Sequence, residues 1–144
     1  MAENPSGYTI FCDDIRQELG GKLSYIGVYS SILYLSGGFP ATLPKFGFSI
    51  HYIQPGRRPK TPIDIMIYLP GDTKNKPSIK LSIPLDTIES AEIPDDHAER
   101  LFHAAAVVPM TGLQLKSPGL IVVRARCEKK TKKIGGLRIE TAEK

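Results

Sequence analysis

Four stretches of this chain alternate apolar and polar residues with a period of two, and that pattern limits the folds open to it. In "PIDIMIYL" the side chains of Ile63, Ile65, Ile67 and Leu69 share one face. In "SIKLSIPL" Ile79, Leu81, Ile83 and Leu85 do the same. "PKFGFSIHYI" sets Phe46, Phe48, Ile50 and Tyr52 against Lys45, Gly47, Ser49 and His51. In "LIVVRARC" Ile121, Val123, Ala125 and Cys127 oppose Arg124 and Arg126. A strand turns successive side chains to opposite faces, so each run reads as a ribbon with one buried and one wet side.

The 13 glycines and 12 prolines are scattered, so they punctuate short elements instead of forming a low-complexity tract. "YTIFC" is apolar on both faces and reads as a strand covered on both sides. After the polar "DDIRQEL", Gly20-Gly21 supplies a hairpin turn and "KLSYIGVYSSILYL" returns, with Gly27 marking a bulge. A helix across "DDIRQELGGK", capped by Asp13 or Asp14 and stopped by Gly20, is the competing reading, but it spans under two turns. "PDDHAERLFHAAA" predicts one short helix around Asp95–Leu101, then a strand from His103 towards Val108. A turn at Pro109 follows, and the chain resumes at Leu113–Leu115. "KSPG" and "KKTKK" read as turns on either side of "LIVVRARCE", and "IGGLRIET" as the closing strand. The expected fold is all-β, a single domain over residues 1–144. It is an antiparallel β-sandwich of about 7–9 strands, immunoglobulin-like or similar, with at most one short helix.

At 144 residues, with 41% hydrophobic and 24% charged, the chain is long enough to bury its own core and too apolar for disorder. No apolar run approaches the ~20 residues that cross a bilayer. "MAENPSGYTIF" lacks the basic and apolar regions of a secretory leader, so a cytoplasmic protein is expected. Cys12 and Cys127 lie in apolar runs without a C-x-x-C partner and are expected to be free and buried.

The candidate chemistries are thin. Asp13 and Asp14, as strand neighbours, point to opposite faces and cannot share a proton or a metal. They are expected to form a polar hairpin cluster with Arg16 and Lys22, one carboxylate pairing with Arg16 or Lys22 across the hairpin and the other capping a turn. A hydrolase or metal site around Asp13, Asp14 and a histidine is the weakest reading. His51, His97 and His103 have no metal-ligand spacing, and no Walker loop, G-x-S-x-G or G-x-G-x-x-G occurs. No cofactor, metal or catalytic residue is assigned.

Positive charge is the stronger signal. From Arg124 to Arg138 run seven basic residues against one acid, Glu128, a net +6 in a chain of net +4. Arg57, Arg58 and Lys60 form a second basic loop, so Arg57, Arg58, Lys60, Lys129, Lys130, Lys132 and Lys133 are the candidate ligand-binding residues. The "KKTKK" run carries no aromatic residue of the kind that stacks on bases, and lysines at an edge also keep a hairpin soluble.

"CDDIRQELGGKLSYIGVY", "GGFP" at Gly37–Pro40 and "LKSPGLIVVRA" at Leu115–Ala125 resemble blocks of a family of uncharacterised bacterial proteins. The resemblance covers most of the chain. It implies a small β-sandwich of a bacterial or phage cytoplasm and supplies no catalytic residues. Together these readings lead to a non-enzymatic module that binds another protein or self-associates, with Tyr25, Tyr29 and Tyr34 as interface candidates. The alternative is a nucleic-acid or anionic-ligand binder that uses the basic hairpin and loop.

Overall fold

The computed structural model describes residues 4–92 and 100–142. Ten strands run in chain order: β1 (Ser6–Gln17), β2 (Leu23–Tyr29), β3 (Ile32–Leu35), β4 (Ala41–Pro55), β5 (Ile63–Tyr68), β6 (Ile79–Ile83), β7 (Glu89–Glu92), β8 (Arg100–Leu115), β9 (Gly119–Cys127) and β10 (Lys130–Thr141). They form two five-stranded sheets, ordered β2-β1-β4-β8-β7 and β3-β10-β9-β5-β6. The fold is an all-β sandwich. All pairs are antiparallel except β3 with β10, which is parallel. A 3-10 turn over Leu85–Thr87 is the one helical element among the described residues.

The alternation read from the sequence fills the space between the sheets. Phe11, Phe46, Phe48 and Ile50 from the first sheet meet Ile63, Ile65, Ile67, Ile121, Val123, Leu137 and Ile139 from the second, and all are buried. Phe46 and Phe48 pack edge-to-face at 5.1 Å between ring centroids, a favoured aromatic geometry. The sheets approach closely where β1 crosses β10. Thr9 Oγ1 donates to the Ile134 carbonyl at 3.0 Å, and Gly135 leaves no room there for a side chain.

In "DDIRQEL" the hairpin reading holds and the competing helix does not form: β1 runs on to Gln17, and residues 14–17 pair with β2. Several local readings need correction. The predicted turn at Pro109 is absent: β8 runs on through it to Leu115. At Pro109 the strand pairs with β4 alone, since β7 reaches only Arg100–His103, so the missing N–H need not interrupt a second ladder. The short helix expected over Asp95–Leu101 lies outside the described residues except at Arg100 and Leu101, which open β8 as strand. "KKTKK" is not the turn either. The hairpin closes on Glu128 and Lys129, both with positive φ (52° and 70°), and Lys130–Lys133 belong to β10. Short β3 and β7 bring the strands to ten, above the expected number.

Gly27 breaks the alternation without shifting the register. Pairing of β1 with β2 keeps one register from Phe11↔Tyr29 to Gln17↔Leu23 and skips only the step at Asp13 and Gly27. Tyr25 and Tyr29 are four residues apart and should point the same way in an undisturbed strand. Gly27 has φ +70°, a conformation open to glycine, and the two rings part company. Tyr29 stacks on Phe46 in the core, whereas the Tyr25 hydroxyl reaches Ser49 on the far side of the sheet.

Candidate functional site

The outer face of the first sheet holds a chain of polar groups that no local motif announces. Phe48, Ile50 and Tyr52 face the core, so Gly47, Ser49 and His51 of β4 face outward. Ser49 Oγ lies 2.9 Å from the Tyr25 hydroxyl and 2.8 Å from His51 Nε2. His51 Nδ1 lies 2.9 Å from His103 Nε2, on β8. The Tyr8 ring stacks on His51 at 4.5 Å, and the two imidazoles are nearly parallel at 5.1 Å. Burial holds the His51 pKa below the ordinary imidazole value, and the neighbouring His103 adds to the effect.

A serine hydroxyl on an imidazole whose other nitrogen meets a third group is the order of a nucleophilic relay. Here its access is wrong. Ser49 is 0% exposed. Its strand pairs with β1 on one side (Ile10↔Ser49) and β8 on the other (Ser49↔Val107), so the local backbone N–H groups serve the ladders and not an oxyanion. The row of bonds satisfies buried polar atoms beneath Tyr8 and Tyr25.

Around this row the face is uncharged. Register and burial place Val28 of β2, Tyr8, Ile10 and Cys12 of β1, Ile53 of β4 and Ala105, Val107 and Pro109 of β8 on it. Lys45 bounds it at one end, and Glu89, opposite His103, at the other. Val28 is 57% exposed and Tyr8 47%. The outward side of an antiparallel sheet ordinarily alternates in charged and polar residues, and this one does not. Cys12 is buried beneath it, and burial raises its thiol pKa, so it packs as an inert hydrophobe.

The polar hairpin cluster forms in part: one carboxylate does pair with Arg16, and the other caps no turn. Asp14 pairs with Arg16 at 3.4 Å, along one strand instead of across the hairpin. Asp13 caps no turn; it accepts the Tyr29 hydroxyl, whose pKa is pushed up to about 12 by burial and by that carboxylate. The Lys22 carbonyl accepts the Glu18 N–H and closes the Gly20-Gly21 turn. Of the three interface tyrosines, only Tyr34 stands open, at 60% exposed.

The two basic segments do converge, at the end of the sandwich where β4 crosses to β5 beside the β9–β10 hairpin. Arg57 makes a forked ion pair with Glu128 at 2.9 and 2.7 Å, and the Lys60 backbone N–H adds a third bond at 2.9 Å. The hydrogen bonds from Arg57 and Lys60 lower the Glu128 pKa to about 2. The Glu128 N–H in turn donates to Thr61 Oγ1 at 3.1 Å. Arg58 is used within the fold as well: its guanidinium donates to the Ile88 carbonyl at 3.1 Å and lies 5.1 Å over the Phe102 ring. A cleft of about 580 Å³ lies beside Arg57, with Lys130, Lys132, Tyr52 and Gln54 in its walls. Lys132 Nζ donates across it to the Pro5 carbonyl at 2.6 Å. Lys60 and Lys129 line a neighbouring groove with Arg126 and Asp64. Lys133 points to the opposite side, beside Arg124. The predicted set is thus split between a structural clamp, a cleft and an open sheet face.

Sequence spacing could not have found the His51–His103 pair. The residues are 52 apart, and only the β4–β8 register brings them together. His97 lies outside the described residues. Among the described residues no group of three or more His, Cys, Asp or Glu is placed to hold a metal ion. No helix among them is long and apolar enough to cross a membrane. No family model matches the chain, and neither a curated protein nor a solved structure matches it.

Proposed function

We propose that the protein is a non-enzymatic binding module that docks another protein on the outer face of its first sheet. One observation carries this reading: the face from Val28 to Pro109 has no charged side chain between its rim residues Lys45 and Glu89. An apolar, aromatic centre inside a charged rim is the anatomy of a protein interface. Tyr8 stacked on His51 provides a rigid, amphipathic contact of the kind enriched at binding hot spots. Beneath it, the hydrogen-bonded row from Tyr25 to His103 fixes the surface that a partner would meet.

The test is light scattering over a concentration series, combined with affinity capture from native lysate. An A105E variant, which sets a charge in the middle of the face, is the control. A partner or a second copy retained by the parent and lost by A105E supports the reading. A strict monomer that recovers nothing beyond what A105E recovers overturns it.

A further inference from the structure

The outer face of the second sheet has the opposite character. Ile63, Ile65 and Ile67 face the core, so Asp64, Met66 and Tyr68 of β5 face out. By register the same side holds Lys80 of β6, Arg124 and Arg126 of β9, and Lys133 and Arg138 of β10. Its carboxylates are Asp64, Glu140, which lies 3.6 Å from Arg138, and at the margin Asp72, which shares a groove with Tyr68 and Arg124 and accepts from the Leu69 N–H and from Ser78. Lys80, Met66, Arg124 and Lys133 stand in one transverse row, because Met66 pairs with both Lys80 and Arg124, and Arg124 pairs with Lys133. At about 4.8 Å between strands, that row spans roughly 14 Å.

Aromatic rings sit within this charge. The Arg124 guanidinium lies 5.2 Å over the Tyr68 ring, which is held in place by its hydroxyl donating to the Lys74 carbonyl at 3.0 Å. Tyr34, on the edge strand β3 opposite Glu140, is 60% exposed. The sequence runs showed lysines without aromatics. The sheet supplies the aromatics from β3 and β5, strands far away in the chain.

We infer that this face binds single-stranded nucleic acid, with the Lys80–Arg124–Lys133 row and Arg138 on phosphates and Tyr34 and the Tyr68–Arg124 stack on bases. Cations that track a backbone beside rings that accept any base are the two parts such a surface needs. A lipid headgroup layer would use the cations, but the Tyr68 ring, tied through its hydroxyl to the Lys74 carbonyl and covered by Arg124, is not free to insert among lipids. The inference is independent of protein docking, which uses the other sheet.

The experiment is fluorescence anisotropy with a labelled single strand of about twenty nucleotides, longer than the ~4–16 that a comparable site covers. The same strand as a duplex, and vesicles containing phosphatidylserine, are the comparisons. Neutralising about four phosphates predicts a slope of log affinity on log salt near −3, a roughly fiftyfold loss between about 50 and 200 mM. The K80A/K133A double variant should relax that slope by about 1.4. Tyr34→Ala should weaken binding about fivefold or more while leaving the salt slope alone. Unchanged thermal melting shows that the variants are folded. Four results overturn the inference: no binding of the single strand at low salt, tighter binding of the duplex, binding to vesicles alone, or parental affinity in the variants.

Discussion

His51 Nδ1 and His103 Nε2 face each other at 2.9 Å across β4 and β8, so one of the two must carry the proton between them. A neutral pair meets that demand with a single N–H, and a doubly charged pair cannot. Tyr8, Tyr25 and Ser49 are the polar neighbours, and the carboxylate of Glu89 lies beyond His103. Burial already holds the His51 pKa below the ordinary imidazole value.

A group whose folded pKa is depressed binds fewer protons folded than unfolded. Its contribution is therefore complete above the unfolded value of about 6.5 and is lost as pH falls towards the folded one. The thermal midpoint should drop between about pH 7.5 and 5.5, and His51→Gln should flatten that dependence. An imidazole titration showing His51 protonated at or above about 6.5 would contradict the geometry.

Glu128 responds in a lower window. Its folded pKa of about 2 lies beneath the unfolded carboxylate value, so its contribution is present above about 4.5 and disappears as pH falls to about 2. Arg57 and Lys60 also hold Glu128 at φ 52°, a conformation glycine adopts freely and alanine does not. Both Glu128→Gly and Glu128→Ala lose the ion pair. The alanine variant should nevertheless be the less stable by about 1 kcal/mol in urea melts. Equal stability would mean that the clamp holds no strained turn.

Gly135 tests the pinch between the sheets. A Cβ there would stand 2.6 Å from Thr9 Oγ1 and 2.7 Å from Thr9 Cβ, closer than packed atoms approach. Gly135→Val should cost about 1–3 kcal/mol by overpacking. Adding Thr9→Gly, which removes both clashing atoms, should recover part of it, because the two residues share one gap. Additive losses in the double variant would show that the clash is elsewhere.

Much of the fold was legible because burial on one side of a strand writes a period of two into the chain. Ile63, Ile65 and Ile67 are fully buried, as their spacing requires. Pro109 and the "KKTKK" run misled because both were judged by local propensity. A strand with an open side tolerates proline, and two non-glycine residues can close a hairpin when Arg57 and Lys60 hold one of them. The outer-face features were hidden for a different reason. His51 with His103, and Lys80 with Arg124, meet only through register between distant strands, and a one-residue slip would place them on opposite faces.

The Tyr25–Ser49–His51–His103 row allows a comparison of two hydroxyl deletions. With the His51 Nδ1–H donating to His103, His51 Nε2 is an acceptor, and the Ser49 hydroxyl is its donor. Ser49 then accepts from Tyr25. Tyr25→Phe removes the outermost donor and leaves Ser49 bonded to His51, so it should cost about 0.5–1.5 kcal/mol. Ser49→Ala strands a buried ring nitrogen, and that desolvation penalty is larger, about 1–3 kcal/mol. Chemical denaturation at neutral pH should therefore rank Ser49→Ala below Tyr25→Phe in stability, although it deletes only one atom as well. In the serine variant His51 loses its reason to keep the Nδ1 tautomer, so the ring proton should redistribute and the nitrogen chemical shifts of both histidines should move together. A Ser49→Ala protein as stable as the parent, with unmoved shifts, would show that the row is a coincidence of packing.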